Sequence, residues 1–104
     1  VSGPDNLSKL DRLRARDGDK CWLCDDRLDF EAEPNSSRAP SVEHLIAKSR
    51  GGPESLENFV LCHTMCNRQL AARPLTDKIK MRERRGRKRL IATLRSQWRI
   101  GRKG

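Results

Sequence analysis

Glu43-His44, Gly51-Gly52, Asn58 and Cys66-Asn67 are the residues of this 104-residue chain whose types and order could do chemistry. A carboxylate and a carboxamide can share one hard divalent cation through oxygen. A neighbouring imidazole, with an ordinary pKa of about 6.5, is basic and mostly unprotonated at neutral pH, so it can take a proton. A second set surrounds the first. Cys21-x-x-Cys24 upstream and Cys62-His63-x-x-Cys66 downstream offer four ligands to one tetrahedral ion. Counting back from Cys66 at the usual two-residue spacing gives His63 as the fourth ligand, with the Cys62 thiolate as the alternative, because zinc accepts either.

These residues need a scaffold, and the composition limits what it can be. Apolar residues make up 35% of the chain and aromatic residues 4%, against 36% charged, which is poor material for a large core. A domain of this size then needs a staple. Close C-x-x-C spacing, a histidine beside the second pair and the lack of an apolar signal segment favour zinc in a reducing compartment over disulfides. No apolar run approaches the ~18 residues of a membrane span, so no membrane partner is expected.

The formal net charge of +9 is unevenly spread. From Lys78 onward there are twelve basic residues against Glu83 alone, while the first 77 residues are slightly acidic. A basic block of this kind suits a polyanion, and nucleic acid is the usual one.

Periodicity assigns the elements. Leu7, Leu10 and Leu13 predict a short helix over 7–16, with Asn6 as its cap and Gly18 past its end. Residues 19–24 read as a metal knuckle. Residues 31–40 read as a loop, 41–46 as a strand, 48–57 as a loop and 59–61 as a second strand antiparallel to the first. A helix over 64–72 is ended by Arg73-Pro74. A last helix over 76–98 carries Ile79 early and a stripe of Leu90, Ile91, Leu94 and Trp98 later, with Gly86 as a possible bend and residues 100–104 frayed. Trp98 on that stripe is expected to pack. Gly51-Gly52 is expected to be a turn needing positive φ.

The segment VEHLIAKSRGGPESLENFVLCHTMCNRQLAARPL, residues 42–75, resembles the HNH nucleases. Members of that family carry a Glu/Asp-His pair, a double glycine, a central Asn and a closing His or Asn. The resemblance implies an α+β chain: a small zinc-stapled ββα-metal domain over 19–75, an N-terminal helical segment over 1–18 and a basic C-terminal helical extension over 76–104. It also implies metal-assisted phosphodiester hydrolysis. His44 would be the general base for water, and Glu43 and Asn67 would hold the catalytic divalent ion. Asn58 would orient the His44 ring or brace the loop, or else form an Asx turn into the second strand.

Two departures from the commonest family pattern bear on the ion. Asn67 stands where many members have histidine, which shifts preference toward Mg²⁺ or Mn²⁺. Glu43 stands where aspartate is frequent. Neighbours on a regular strand point to opposite faces, so the strand is expected to end, bend or bulge at Glu43-His44. Cys21, Cys24, Cys66 and either His63 or Cys62 would hold a separate structural zinc.

Arg68, Lys48 and Arg50, with Arg85, Arg87, Lys88 and Arg89 of the basic block, are the expected nucleic-acid contacts. The expected partner is double-stranded DNA, in the cytoplasm of a bacterial or phage-infected cell. A larger nuclease or phage packaging machine could dock on the C-terminal stripe. The competing reading is a zinc-stabilised nucleic-acid-binding module, or a partner-recruiting subunit, that performs no cleavage.

Overall fold

A computed structural model describes residues 8–102, and the side chains of residues 8–96. The expected Asn6 cap, the Leu7 contact, the packing of Trp98 and the fraying at residues 103–104 lie outside them. Helix α1 spans Lys9–Asp17 and is capped by Ser8, whose side chain accepts the Asp11 amide. Gly18, with φ of 86°, ends it. Leu13 is buried on its inner face. Arg16 ties the helix to the sheet by donating to the carbonyls of Leu56 and Phe59, each at 2.8 Å.

Strands β1, Pro40–His44, and β2, Phe59–His63, form one antiparallel pair, in register from Pro40 opposite His63 to His44 opposite Phe59. Between them run two single 3₁₀ turns, Lys48–Arg50 and Leu56–Asn58. Helix α2 follows β2 directly at Thr64–Leu70, two residues shorter than its expected span, because Ala71 takes a left-handed φ of 47° before Pro74. Every residue of β2 is buried. Phe59 and Leu61 join Leu13, Leu23, Leu28 and Leu70 in a core completed by Cys21, Cys62 and Cys66. Each such large apolar side chain contributes about 1.5–3 kcal/mol of burial. With Val60 they are seven, a thin core in which three cysteines are also buried.

Helix α3 runs unbroken over Leu75–Arg102. Gly86 does not split it, and residues 100–102 are helical where fraying was expected. At 28 residues the helix is about 42 Å long. It draws the chain out to 59 × 33 × 23 Å, with a radius of gyration of 16.4 Å. Leu90, Ile91 and Leu94 are 58%, 48% and 53% exposed, so the later stripe is not packed against this chain. No helix among the described residues is long and apolar enough to cross a membrane.

Candidate functional site

The knuckle and the start of α2 bring four ligand atoms together. The Cys21, Cys24 and Cys66 sulfurs and a His63 ring nitrogen all lie within 4.8 Å of one another. His63 Nε2–H donates to the Arg27 carbonyl at 2.9 Å. That bond fixes the tautomer and leaves the Nδ1 lone pair facing the sulfurs, 3.4 Å from Cys24 Sγ and 3.8 Å from Cys66 Sγ. A tetrahedron with arms of about 2.3 Å has edges of about 3.8 Å, so this Cys3His set has the dimensions of a zinc site.

Local backbone explains the convergence. Cys21 and Asp26 form the ends of a tight turn, with Asp25 at φ 64° and its amide on the Cys21 carbonyl at 2.9 Å. The Trp22 amide then binds the Leu61 carbonyl at 2.8 Å, clipping the knuckle to β2.

Cys62 lies beside the cluster without joining it. Hydrogen bonds from the Cys62 and Cys66 thiols, helped by the amides of Cys24 and His63, hold Cys21 far below the ordinary thiol value. The same contact with Cys21, together with burial, pushes Cys62 and Cys66 up. Burial also raises Cys24. Cys62 is a buried thiol next to Cys21 and outside the four-ligand set. Of the two alternatives for the fourth ligand, the geometry brings in His63.

The second set is arranged differently. β1 stays in register through His44 and ends there, with a bend at Leu45-Ile46 and no bulge. Strand alternation puts Ser41 and Glu43 on one face. Asn67 reaches that face, its Nδ2 donating to Ser41 Oγ at 2.8 Å and to the Val42 carbonyl at 3.1 Å. Its Oδ1 takes no donor among the described residues.

Glu43 is 4% exposed, and its Oε2 is 3.1 Å from Lys78 Nζ of α3, an ion pair without the angles of a hydrogen bond. Burial raises its pKa against the opposing pull of Lys78. Glu43 and Asn67 supply oxygens of the kind a hard cation takes, and the Glu43 oxygen now faces the Lys78 ammonium.

His44 lies on the other face, edge-on to Phe59 with ring centroids 4.7 Å apart. Its Nε2 is 2.6 Å from Glu54 Oε1, in the loop after the double glycine. That hydrogen bond, then the charges of Lys48 and Lys9, holds the Glu54 carboxyl below its ordinary value. Nδ1 of His44 has no partner among the described residues.

Asn58 does not touch the His44 ring. Its Oδ1 accepts the Ile46 amide at 2.9 Å, and its Nδ2 donates to the carbonyls of Ile46 and Pro53 at 3.0 and 3.1 Å. It braces the loop. Gly51 has the expected positive φ of 83°. Gly52 does not, and is required for another reason: a Cβ there would lie 1.8 Å from the Ile46 carbonyl oxygen.

The family model for the HNH endonuclease matches residues 21–73, just over half of the chain. The chain belongs to the HNH endonuclease family. No curated protein matches it, and no solved structure does. In this HNH domain the matched span starts at the first zinc-type cysteine and stops before α3.

The basic residues expected to meet nucleic acid are spent unevenly. Arg50 donates to the Ala72 carbonyl at 2.7 Å and Arg68 to the Asn35 carbonyl at 3.3 Å. Arg85 binds Gln69, and Arg89 pairs with Asp26 while donating to the Cys24 carbonyl. Lys48 is 77% exposed near Glu54, and Arg87 and Lys88 have no partner among the described residues.

Two residues of this region escaped the sequence reading. Glu54 had no signal beyond being an acid in a loop. Lys78 had one: with Arg82, Arg85 and Arg89 it repeats at helical spacing, and all four face the domain.

Proposed function

We propose that this HNH domain is a metal-dependent endonuclease that hydrolyses phosphodiester bonds of double-stranded DNA. The observation that carries the reading is the His44 ring at the end of β1, held at Nε2 by Glu54 and free at Nδ1. A phosphodiester laid across that strand end would meet His44 on one side and, through the ion they would hold, the Glu43 and Asn67 oxygens on the other. His44 takes the proton of the attacking water at Nδ1, and the Glu54 carboxylate stabilises the imidazolium that forms. Glu43 and Asn67 would hold Mg²⁺ or Mn²⁺, which supplies a Lewis acid for the phosphate oxygens. Asn58 keeps the Glu54 loop in place through the Ile46 and Pro53 carbonyls. Lys48, Arg87 and Lys88 give salt-sensitive contacts with the duplex backbone.

The test is nicking of a supercoiled plasmid with Mg²⁺, Mn²⁺ or Zn²⁺, comparing the wild type with His44→Ala. The expected result is metal-dependent cleavage with 5′-phosphate ends that falls by about 10²–10⁴ in the variant. Unchanged cleavage in the variant removes His44 as the base.

A second reading has its own support: Glu43 is already paired with Lys78, and Leu90, Ile91 and Leu94 lie open on α3. A non-cleaving module that recruits a larger nuclease or packaging machine would bind DNA equally in every metal and cut in none.

A further inference from the structure

Lys78 is fully buried, yet it lies on the helix in which the net positive charge is concentrated. An ammonium has three donors and no acceptor, and burying one is costly unless each donor finds an acceptor. Nζ of Lys78 donates to the His44 carbonyl at 2.7 Å and lies 3.1 Å from Glu43 Oε2. One cation therefore grips two consecutive residues, a side chain of one and the backbone of the next. Those two are the residues to which the proposed reaction gives the general base and one metal ligand.

The His44 carbonyl belongs to the last residue of β1, where the chain bends away. Fixing its peptide plane fixes the backbone from which the imidazole projects. The same ammonium sets the direction of the Glu43 carboxylate on the opposite face.

We propose that Lys78 is a positioning residue for the Glu43-His44 pair and the point at which α3 controls the strand end. The inference rests on the assignment of His44 as base and Glu43 as metal ligand. α3 is well placed for this task because its inward face is anchored elsewhere. Arg82 donates to the Trp22 carbonyl at 2.8 Å, and Arg89 holds Asp26 and the Cys24 carbonyl beside the zinc cluster. The helix thus spans from the cysteine knuckle to the Glu43-His44 pair, which Lys78 meets through one hydrogen bond and one ion pair.

The experiment uses the zinc-loaded full chain as wild type, Lys78→Met, Lys78→Arg and His44→Ala, in plasmid nicking driven by Mn²⁺. Lys78→Met is expected to keep its zinc and its DNA affinity while kcat falls about ten- to a hundredfold with little change in KM, and Lys78→Arg to recover part of the loss. A wild-type kcat in Lys78→Met, or a change in KM alone, overturns the proposal. If Lys78→Met loses zinc and fold, the wild type labelled with ¹⁵N-lysine decides. The Lys78 ammonium signal should be shifted by Mg²⁺ and broadened by Mn²⁺, and a signal indifferent to both ions overturns the proposal as well. Activity surviving in His44→Ala would defeat the underlying assignment instead, whatever Lys78 does.

Discussion

The Cys3His cluster and the strand end where we propose catalysis are built from the same short segment but on opposite terms. At the cluster, four ligand atoms lie within 4.8 Å of one another, and neighbouring groups, the Arg27 carbonyl on His63 and the His63 amide on Cys21, hold them there. At the strand end each functional side chain is turned toward a different protein partner: Glu43 to Lys78, His44 to Glu54, Asn67 to Ser41, Asn58 to Ile46. A staple has to converge on its ion. A working site has to leave atoms unspent, and here those are His44 Nδ1 and Asn67 Oδ1.

The contrast is broken most violently at the zinc end. Binding of structural zinc is worth about 10–16 kcal/mol, as much as the whole stability of a small domain at about 5–15 kcal/mol. Cys66→Ser, or a strong chelator, should therefore unfold the chain and abolish activity in one step, because Cys66 and Asn67 are neighbours on α2. Circular dichroism with zinc analysis reads this, and an unchanged melt in chelator would sink the staple. Cys62→Ala should keep one zinc per chain, whereas His63→Ala should not.

A smaller break lies at the loop. Gly52→Ala drives a methyl into the Ile46 carbonyl and displaces the Asn58 brace, at a cost of about 1–3 kcal/mol. Zinc content should be unchanged while the melting temperature and nicking rate both fall. A variant as stable as the wild type would mean that the loop yields freely.

Removing residues 90–104 takes away no described contact of either site. It deletes Arg95, Arg99, Arg102 and Lys103, so the slope of log affinity against log salt should flatten by up to about four, with the zinc and the melt preserved. An unaltered slope would make the distal helix a bystander to DNA.

The finest test is a pH one. Arg89 holds the Asp26 carboxyl below its ordinary value. A lowered folded pKa contributes stability that is present above the unfolded value of about 3.9 and lost as pH falls through the folded one. Both groups are exposed, so the effect is small. Asp26→Asn should remove only that acid limb from the melting profile, and an identical limb in the variant would assign it to other carboxylates.

What was legible in the sequence follows from how local each cause is. C-x-x-C spacing is a property of tight turns, so the cluster could be read from Cys21, Cys24 and Cys66, and the fourth ligand narrowed to two neighbours. The strands, α2 and the continuity from Glu43-His44 to Asn67 follow from alternation and from Pro74. The partner of Glu43 was not legible, since Lys78 is 35 residues away and looked like one more charge in a basic block. Arg85 and Arg89 were assigned to nucleic acid for the same reason. Helical spacing puts them with Lys78 and Arg82, but a charge total cannot tell an inward face from an outward one. Gly52 was misread because a positive φ is a local property and a close approach to Ile46 is not.

The length of α3 has a consequence for how the molecule moves. A compact chain of this size has a radius of gyration of about 13 Å, against 16.4 Å here. The protein therefore tumbles as a short rod, slowly about two axes and quickly about the third, and its far end travels a wide arc in solution. On duplex DNA, a helix of about 42 Å exceeds one turn of about 34 Å. Held against phosphates, its distal charges would end that tumbling at points a full turn from the cut.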